Sequence, residues 1–245
     1  LVNDKTSFTC TGSIEVEREI LHCSNREGHG TQSFVEAISN SCNPAFVQIG
    51  QMLGASKFRQ YYQGFGFSDK TGIDLPGEAD DEFWADGKMG GVDLAVASFG
   101  QNFTITPIQM ITACAAVSNG GYVVQPHVVS KITDSKGNVI KTVDEKIKRQ
   151  VISDDTSKKM NEYLEYNTER QGAAAGKTGT SEKTGVTKQD SHFDKDYISS
   201  FCGYAPADDP QIAMLVFFDT PDGDAYYGSQ VSSPVFINIM SEVLP

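Results

Sequence analysis

The chain has 245 residues, 39% hydrophobic and 21% charged, with a formal net charge of −12 at pH 7. This is the make-up of an ordinary globular chain with room for one large domain or two small ones. The acidic balance offers no basic stripe for nucleic acid and no patch for anionic lipid, and no 18-residue apolar run is present to span a membrane.

Residues 1–30 read as an irregular or β-ribbon lead-in, with Gly28-His29-Gly30 as a turn. They carry no signal-peptide pattern, and Leu1-Val2-Asn3-Asp4 begins as if cut from a longer protein. From Thr31 to about Ser41, Phe34, Ala37 and Ile38 fall at helical spacing. The pattern breaks at Cys42-Asn43-Pro44, where Asn43 is expected as the N-cap of a second helix and Pro44 in its first turn. Phe46, Val47, Ile49, Met52 and Leu53 give that helix an apolar face, and Gly54 stops it.

A short helix is expected over 56–67, followed by a loop through Gly72-Ile73-Asp74-Leu75-Pro76-Gly77-Glu78. Thr106-Pro107 starts another helix, closed by Gly120-Gly121. Residues 122–145 read as a hairpin turning at Asp134-Ser135-Lys136-Gly137, and Ser153 caps a helix carrying Met160, Tyr163 and Leu164. The last third is strand-like, over 177–181, 197–204 and 212–218. The third of these strands is apolar on both faces, which predicts a central place in a covered sheet. Residues 182–196 read as a polar surface loop, and a final helix runs from about Ser233 to Val243. The chain thus divides into the lead-in (1–30), a mainly helical part with a hairpin (31–170), and sheet strands with a C-terminal helix (171–245). Helices first and strands later, joined by short loops, predict an α+β fold with an antiparallel sheet flanked by helices.

Five cysteines, Cys10, Cys23, Cys42, Cys114 and Cys202, show no Cys-x-x-Cys spacing, which argues against zinc. Cys10 and Cys23 flank a segment rich in β-branched residues and are placed to face each other across a ribbon. The lack of a paired framework favours five unpaired thiols. His29 and His127 read as turn and surface histidines, and His192 as a solvated loop residue.

The chemistry concentrates in Lys177-Thr178-Gly179-Thr180, after the small-residue run Gly172-Ala173-Ala174-Ala175-Gly176. A cation, two hydroxyls and a glycine can form one wall of a site for an anionic acyl substrate. Alone, the tetrapeptide reads equally well as an edge strand with an exposed lysine, and Ser41-Cys42-Asn43 as a helix stop. In this order they match the second and third motifs of serine acyl-transfer enzymes, with Ser-x-Asn standing for Ser-Asp-Asn ahead of Lys-Thr-Gly. Further segments agree: Gly72 to Glu78, Phe99-Gly100-Gln101, Thr106-Pro107-Ile108-Gln109-Met110, Ser200-Phe201-Cys202-Gly203-Tyr204-Ala205-Pro206 and Tyr226-Tyr227-Gly228-Ser229. Over nearly its whole length the chain resembles class B penicillin-binding transpeptidases, of the stage V sporulation protein D type.

That resemblance implies a β-lactamase/transpeptidase-like α+β fold, incomplete at the N-terminal side. It implies a serine-type D,D-transpeptidase that cross-links peptidoglycan stem peptides and is acylated by penicillin and other β-lactams. Ser41 would lie in a proton relay to the leaving group. Asn43 would orient the substrate peptide bond and the nucleophile's lysine, and Lys177 would place positive charge beside Ser41. Thr178 and Thr180 would offer hydroxyls to the substrate carboxylate, the Thr180 backbone N–H would help hold the oxyanion, and Gly179 would clear space against the strand. No metal or organic cofactor is implied. The domain would face outward from the cell membrane, held by an N-terminal anchor not among these residues.

One part is missing: no serine here is followed three positions later by lysine. In the family that nucleophile motif precedes Ser-x-Asn by several tens of residues. The chain is therefore expected to be the C-terminal part of such a domain, with its nucleophile upstream of Leu1, and to be inactive by itself. Loss of the nucleophile helix is expected to expose apolar surface or leave a cavity, compensated by dimerisation or helix rearrangement. Three other readings remain: a non-catalytic pseudoenzyme, a penicillin-sensing or scaffold domain, and a serine β-lactamase. The last is disfavoured by the lack of a deacylating glutamate motif.

Overall fold

The computed structural model describes residues 1–80, 82–85, 87–168, 174–183 and 196–244. The lead-in forms two small ribbons. Strand β1 (Ser7–Cys10) and strand β2 (Ser13–Val16) follow each other around Gly12; β2 pairs antiparallel with β3 (Glu19–His22), and β1 with β4 (Gly30–Ser33).

Helix α1 (Phe34–Ser39) begins later than the apolar spacing from Thr31 suggests, because residues 30–33 are held in the β1 ladder. A capping box fixes the true start. Ser33 Oγ accepts from the Glu36 amide at 3.2 Å, and Glu36 Oε2 accepts from the Ser33 amide at 2.7 Å. The helix then ends in a Schellman motif, with the Ser41 amide bonded to the Ile38 carbonyl and the Cys42 amide to the Ala37 carbonyl.

Helix α2 (Asn43–Leu53) follows at once. Its N-cap is Cys42, in extended conformation, which corrects the expectation that Asn43 caps it. Asn43 is already the first helical residue, so its side chain is free to reach elsewhere. Helix α3 (Ala55–Gly64) comes next, then α4 (Gly91–Ser98), which the sequence reading missed. Gly90-Gly91 reads as a breaker, yet the Asp93 carboxylate accepts from the Gly90 amide at 2.9 Å and starts a helix there. Helix α5 (Pro107–Ser118) opens on Thr106 with a capping box to Gln109, as its Thr-Pro signature predicts.

Beyond α5 the single hairpin expected over 122–145 is two nested pairs. Strand β5 (Tyr122–Val124) precedes β6 (Lys131–Thr133) and β7 (Val139–Thr142), which pair around a turn where the Asp134 carboxylate accepts from the Lys136 and Asn138 amides. Strand β5 bonds instead to β8 (Ile147–Gln150), a strand too polar to announce itself. Helix α6 (Asp154–Thr168) starts where Ser153 Oγ accepts from the Thr156 amide.

The sheet that positions the site contains β9 (Ala175–Glu182), β10 (Tyr197–Ala205) and β11 (Ile212–Asp219), all antiparallel, in the order β11-β10-β9. Most of the expected 182–196 loop, residues 184–195, lies outside the described residues. Helix α7 (Ser232–Val243) closes the chain. Strand β10, not β11, is central among the described strands. The apolar character of β11 reflects cover on both faces, not position. Ile212, Met214 and Val216 pack with Phe201, Phe236 and Met240 under α7, while Leu215 and Phe217 line a cavity of about 670 Å³ beneath the 100–107 segment.

The largest core side chains sit on this sheet. Phe201, Tyr204 and Phe236 are fully buried, and the Phe201 and Phe236 rings lie 4.6 Å apart. Burying such a ring contributes roughly 1.5–3 kcal/mol, and deleting it leaves a hole as well. The Phe236→Ala variant is expected to lose about 3–5 kcal/mol of stability by urea unfolding. A loss below about 1 kcal/mol would mean that α7 does not anchor the sheet.

Candidate active site

Two elements far apart in sequence meet here. The Schellman end of α1 places Ser41 in the left-handed region, with φ 50°, a conformation that glycine normally supplies at this position. The turn leaves Ser41 between the two helices with its hydroxyl free of α1. Strand β9 brings Lys177 to it. Lys177 Nζ donates to Ser41 Oγ at 2.8 Å, across 136 residues of sequence. The same ammonium donates to the Thr178 carbonyl at 3.0 Å and to Thr178 Oγ1 at 3.3 Å.

All three acceptors are neutral oxygens, and no ion pair holds Lys177 among the described residues. Lys177 as a whole is half-buried. Packing around the ammonium nonetheless removes enough water to lower its pKa from 10.5 to about 8. A desolvated cation without a carboxylate partner is an electrostatic invitation to an anion. Near neutrality it remains charged, so its N–H can hold Ser41 Oγ as an acceptor and leave the serine proton for transfer elsewhere.

Asn43 does not join this cluster. Its Nδ2 donates to the His22 carbonyl at 2.9 Å, tying the first turn of α2 to the end of β3. Thr180 faces the chain's last third: the Gly228 amide donates to Thr180 Oγ1 at 3.1 Å, and Gln101 Nε2 donates to the Thr180 carbonyl at 3.3 Å. Gly179 leaves room for a neighbouring hydroxyl. A Cβ there would stand 2.6 Å from Ser200 Oγ on the neighbouring strand. Gly228 is required by space, since its Cβ would lie 2.3 Å from the Ser200 carbonyl oxygen and 2.5 Å from that of Gly179. The Tyr226-Tyr227-Gly228-Ser229 segment therefore lies directly on the β9–β10 backbone. Its sequence signal was the segment itself, whose physical role only the packing reveals.

A second group converges just beneath the turn. The ligand atoms of Cys10, Cys23, His29 and Cys42 all lie within 4.8 Å of one another, and all five cysteines of the chain are free thiols. The absence of Cys-x-x-Cys spacing argues against zinc and His29 reads as a turn histidine, so this grouping is not foreseen from the sequence. Successive members are thirteen, six and thirteen positions apart, no recognisable metal spacing, and folding of the two ribbons brings them together. By contrast His127 is exposed, in line with its reading as a surface histidine, with its Nδ1 2.9 Å from the Val129 carbonyl, and His192 lies outside the described residues.

A family model described as penicillin binding protein transpeptidase domain matches residues 1–241. The chain is 38% identical to stage V sporulation protein D of Bacillus subtilis, over 98% of this chain and 38% of that protein. It is 30% identical to peptidoglycan D,D-transpeptidase MrdA of Acinetobacter baumannii, over 86% of this chain and 35% of the relative. Penicillin-binding protein A from M. tuberculosis, solved as a ceftriaxone acyl-enzyme complex, superposes with a TM-score of 0.83 over 99% of this chain and 56% of that one, and at 23% identity it supports the fold alone. The chain thus spans under two-fifths of the length of these two curated relatives. The match across residues 1–241 and the 38% identity show that the chain belongs to the penicillin-binding protein transpeptidase domain family.

Proposed function

We propose that this chain supplies the Ser-x-Asn and Lys-Thr-Gly walls of a serine D,D-transpeptidase centre that cross-links peptidoglycan stem peptides and accepts β-lactams. The observation that carries this reading is the 2.8 Å contact from Lys177 Nζ to Ser41 Oγ. It joins the two motifs into one proton-handling and anion-attracting unit. In the proposed reaction a serine nucleophile attacks the carbonyl of a D-alanyl-D-alanine terminus and expels the terminal amine. Ser41 relays a proton towards that amine, and the Lys177 charge stabilises the negative charge that develops. Thr178 and Thr180 lie on the strand against which the substrate carboxylate would rest, and the Thr180 N–H is the proposed oxyanion donor. Asn43 is proposed to orient substrate from the rim of α2, exchanging its His22 contact for the substrate amide.

The names of the relatives fit a transpeptidase acting in wall synthesis, with a sporulation role as the more specific proposal. Its substrate would place it at the outer face of the cell membrane. Among the described residues no helix is long and apolar enough to cross a membrane. The nucleophile itself is not in this sequence, since no serine has lysine three residues on. A pseudoenzyme reading draws on that same observation, and the two separate when the longer reading frame is assayed with and without a Ser-x-x-Lys motif.

Incubated with a fluorescent penicillin and run on a denaturing gel, the 245-residue chain is expected to leave no covalent band; a labelled band would show a nucleophile that this reading does not contain. The Lys177 charge makes a second prediction. Affinity for an anionic peptide ending in D-alanyl-D-alanine should fall as pH rises through about 8, where the lysine loses its proton. The Lys177→Met variant should bind at least about tenfold more weakly at neutral pH and show no such step, the loss expected for one charge-assisted hydrogen bond. The same group leaves a mark on stability. Its folded pKa of about 8 lies below the ordinary 10.5, so the unfolded chain holds more protons between those values. Stability should therefore gain from this residue as pH rises across that window, and the gain should vanish in Lys177→Met. An unchanged pH slope in the variant would remove Lys177 from the account.

A further inference from the structure

The peptide group between Gly179 and Thr180 carries the N–H proposed above as oxyanion donor, and its direction is weakly set from one side. Glycine has the widest backbone freedom of any residue, so the restraint has to come from Thr180. Two contacts meet there. The Gly228 amide donates to Thr180 Oγ1 at 3.1 Å, and Gln101 Nε2 donates to the Thr180 carbonyl at 3.3 Å, across 79 residues of sequence. In an extended strand the N–H and C=O of one residue project to the same side. The Gln101 carboxamide therefore lies beside the space into which the Thr180 N–H projects.

The chain presents Gln101 from a firm base. Helix α4 ends with the Gly100 amide on the Ala97 carbonyl at 2.9 Å and the Gln101 amide on the Val96 carbonyl at 3.3 Å. Gly100 (φ 84°) and Asn102 (φ 66°) flank Gln101 in the left-handed region. Two such residues in three make a sharp turn, and at Asn102 the surrounding structure has to sustain its backbone cost. Just beyond, Thr104 and Glu82 exchange both backbone bonds, at 3.1 and 3.4 Å. On its other side α4 lies so close to α2 that a Cβ on Gly50 would stand 1.8 Å from Ser98 Oγ. Helix α2 opens on Asn43, two residues after Ser41. A path through α2, α4, Gln101 and Thr180 thus joins the Ser-x-Asn wall to the Lys-Thr-Gly wall, in parallel with the direct contact of Lys177 to Ser41. The residue type suits the place. A carboxamide donates without charge, whereas an ammonium would compete with Lys177 for an anion and a carboxylate would repel both the carbonyl and an oxyanion.

We propose that Gln101 is a positioning residue of the transpeptidase centre, holding Thr180 so that its N–H meets the developing oxyanion. The inference rests on the transpeptidase reading given above. Gln101 touches no substrate in this role and acts through Thr180. The Thr180 N–H bond to the acyl oxygen strengthens as that oxygen gains charge, so a misaligned donor costs more in the transition state than in the first complex. The rate of acylation should suffer, and affinity for the unreacted ligand should not.

The test uses the full-length protein and a fluorescent penicillin, with rapid-quench kinetics separating the acylation rate constant from the dissociation constant of the first complex. Gln101→Met keeps the length of the side chain and removes its donor. It should slow acylation about tenfold and leave the dissociation constant within about twofold, a smaller loss than the roughly 10²–10³-fold for deleting an oxyanion donor, because the N–H itself remains. Gln101→Glu is equal in size, cannot donate when ionised, and should be at least as slow; it carries the same comparison if the Met variant folds poorly. In the 245-residue chain Gln101→Met should speed hydrogen exchange at the Thr180 amide while the amides of α5 keep their protection, a readout that needs no nucleophile. A parent that penicillin leaves unlabelled would overturn the transpeptidase reading and this inference with it. A labelled parent whose two variants acylate at the parent rate, or slow only through a weaker first complex, would overturn this inference and leave that reading standing. A lowered melting temperature with an unchanged acylation rate constant would likewise overturn it, by making Gln101 a loop anchor.

Discussion

Everything in the candidate site depends on one left-handed residue. Ser41 sits where a helix end normally employs glycine, and a side chain there stores of the order of 1–3 kcal/mol of backbone strain. The strain is sustained because both sides of the turn are already committed. Before it, the capping box at Ser33 and Glu36 and the β1–β4 ladder fix α1. After it, Cys42 is buried and Asn43 is tied to β3. A glycine would relax the backbone but remove the hydroxyl that Lys177 meets. The turn exchanges some local stability for a hydroxyl aimed away from both helices.

Lys177 supplies the electrostatic half. Its position on β9 is set by the antiparallel register that pairs it with Cys202, and the register in turn is pinned by glycines that allow β9, β10 and the 226–229 segment to touch backbone to backbone. Packing first, and charge second, is therefore the order of causes. The sheet closes around the ammonium, the ammonium loses water, and its charge becomes available to an anionic partner because no protein carboxylate among the described residues consumes it.

The sequence revealed most where chemistry is local. Lys177-Thr178-Gly179-Thr180 and Ser41-Cys42-Asn43 are short and unusual, and the Thr106-Pro107 and Ser153 caps act within four residues. It revealed least where the outcome depends on partners far along the chain. Thr31 looks helical until the β1 ladder claims it, and Asn43 looks like a cap because nothing local shows that the His22 carbonyl awaits its side chain. The two-faced apolar pattern of β11 encodes cover by α7 on one side and by the α5 approach on the other, and pattern alone cannot separate this from a central position. The thiol–imidazole cluster was the least legible of all. Its four members meet only once the two ribbons have folded, and no one-dimensional spacing records that event.

The sheet order has a consequence for self-association. Strand β9 is an edge among the described strands, and an open edge is a template for another chain's backbone. Here the row of main-chain groups is interrupted. The Thr180 carbonyl is already occupied by Gln101, a lysine stands two residues before a glycine in the middle of the strand, and glycine itself disfavours extended pairing. The residues proposed to receive a small anionic ligand on this strand also make it a poor template for the backbone of a second copy of the protein.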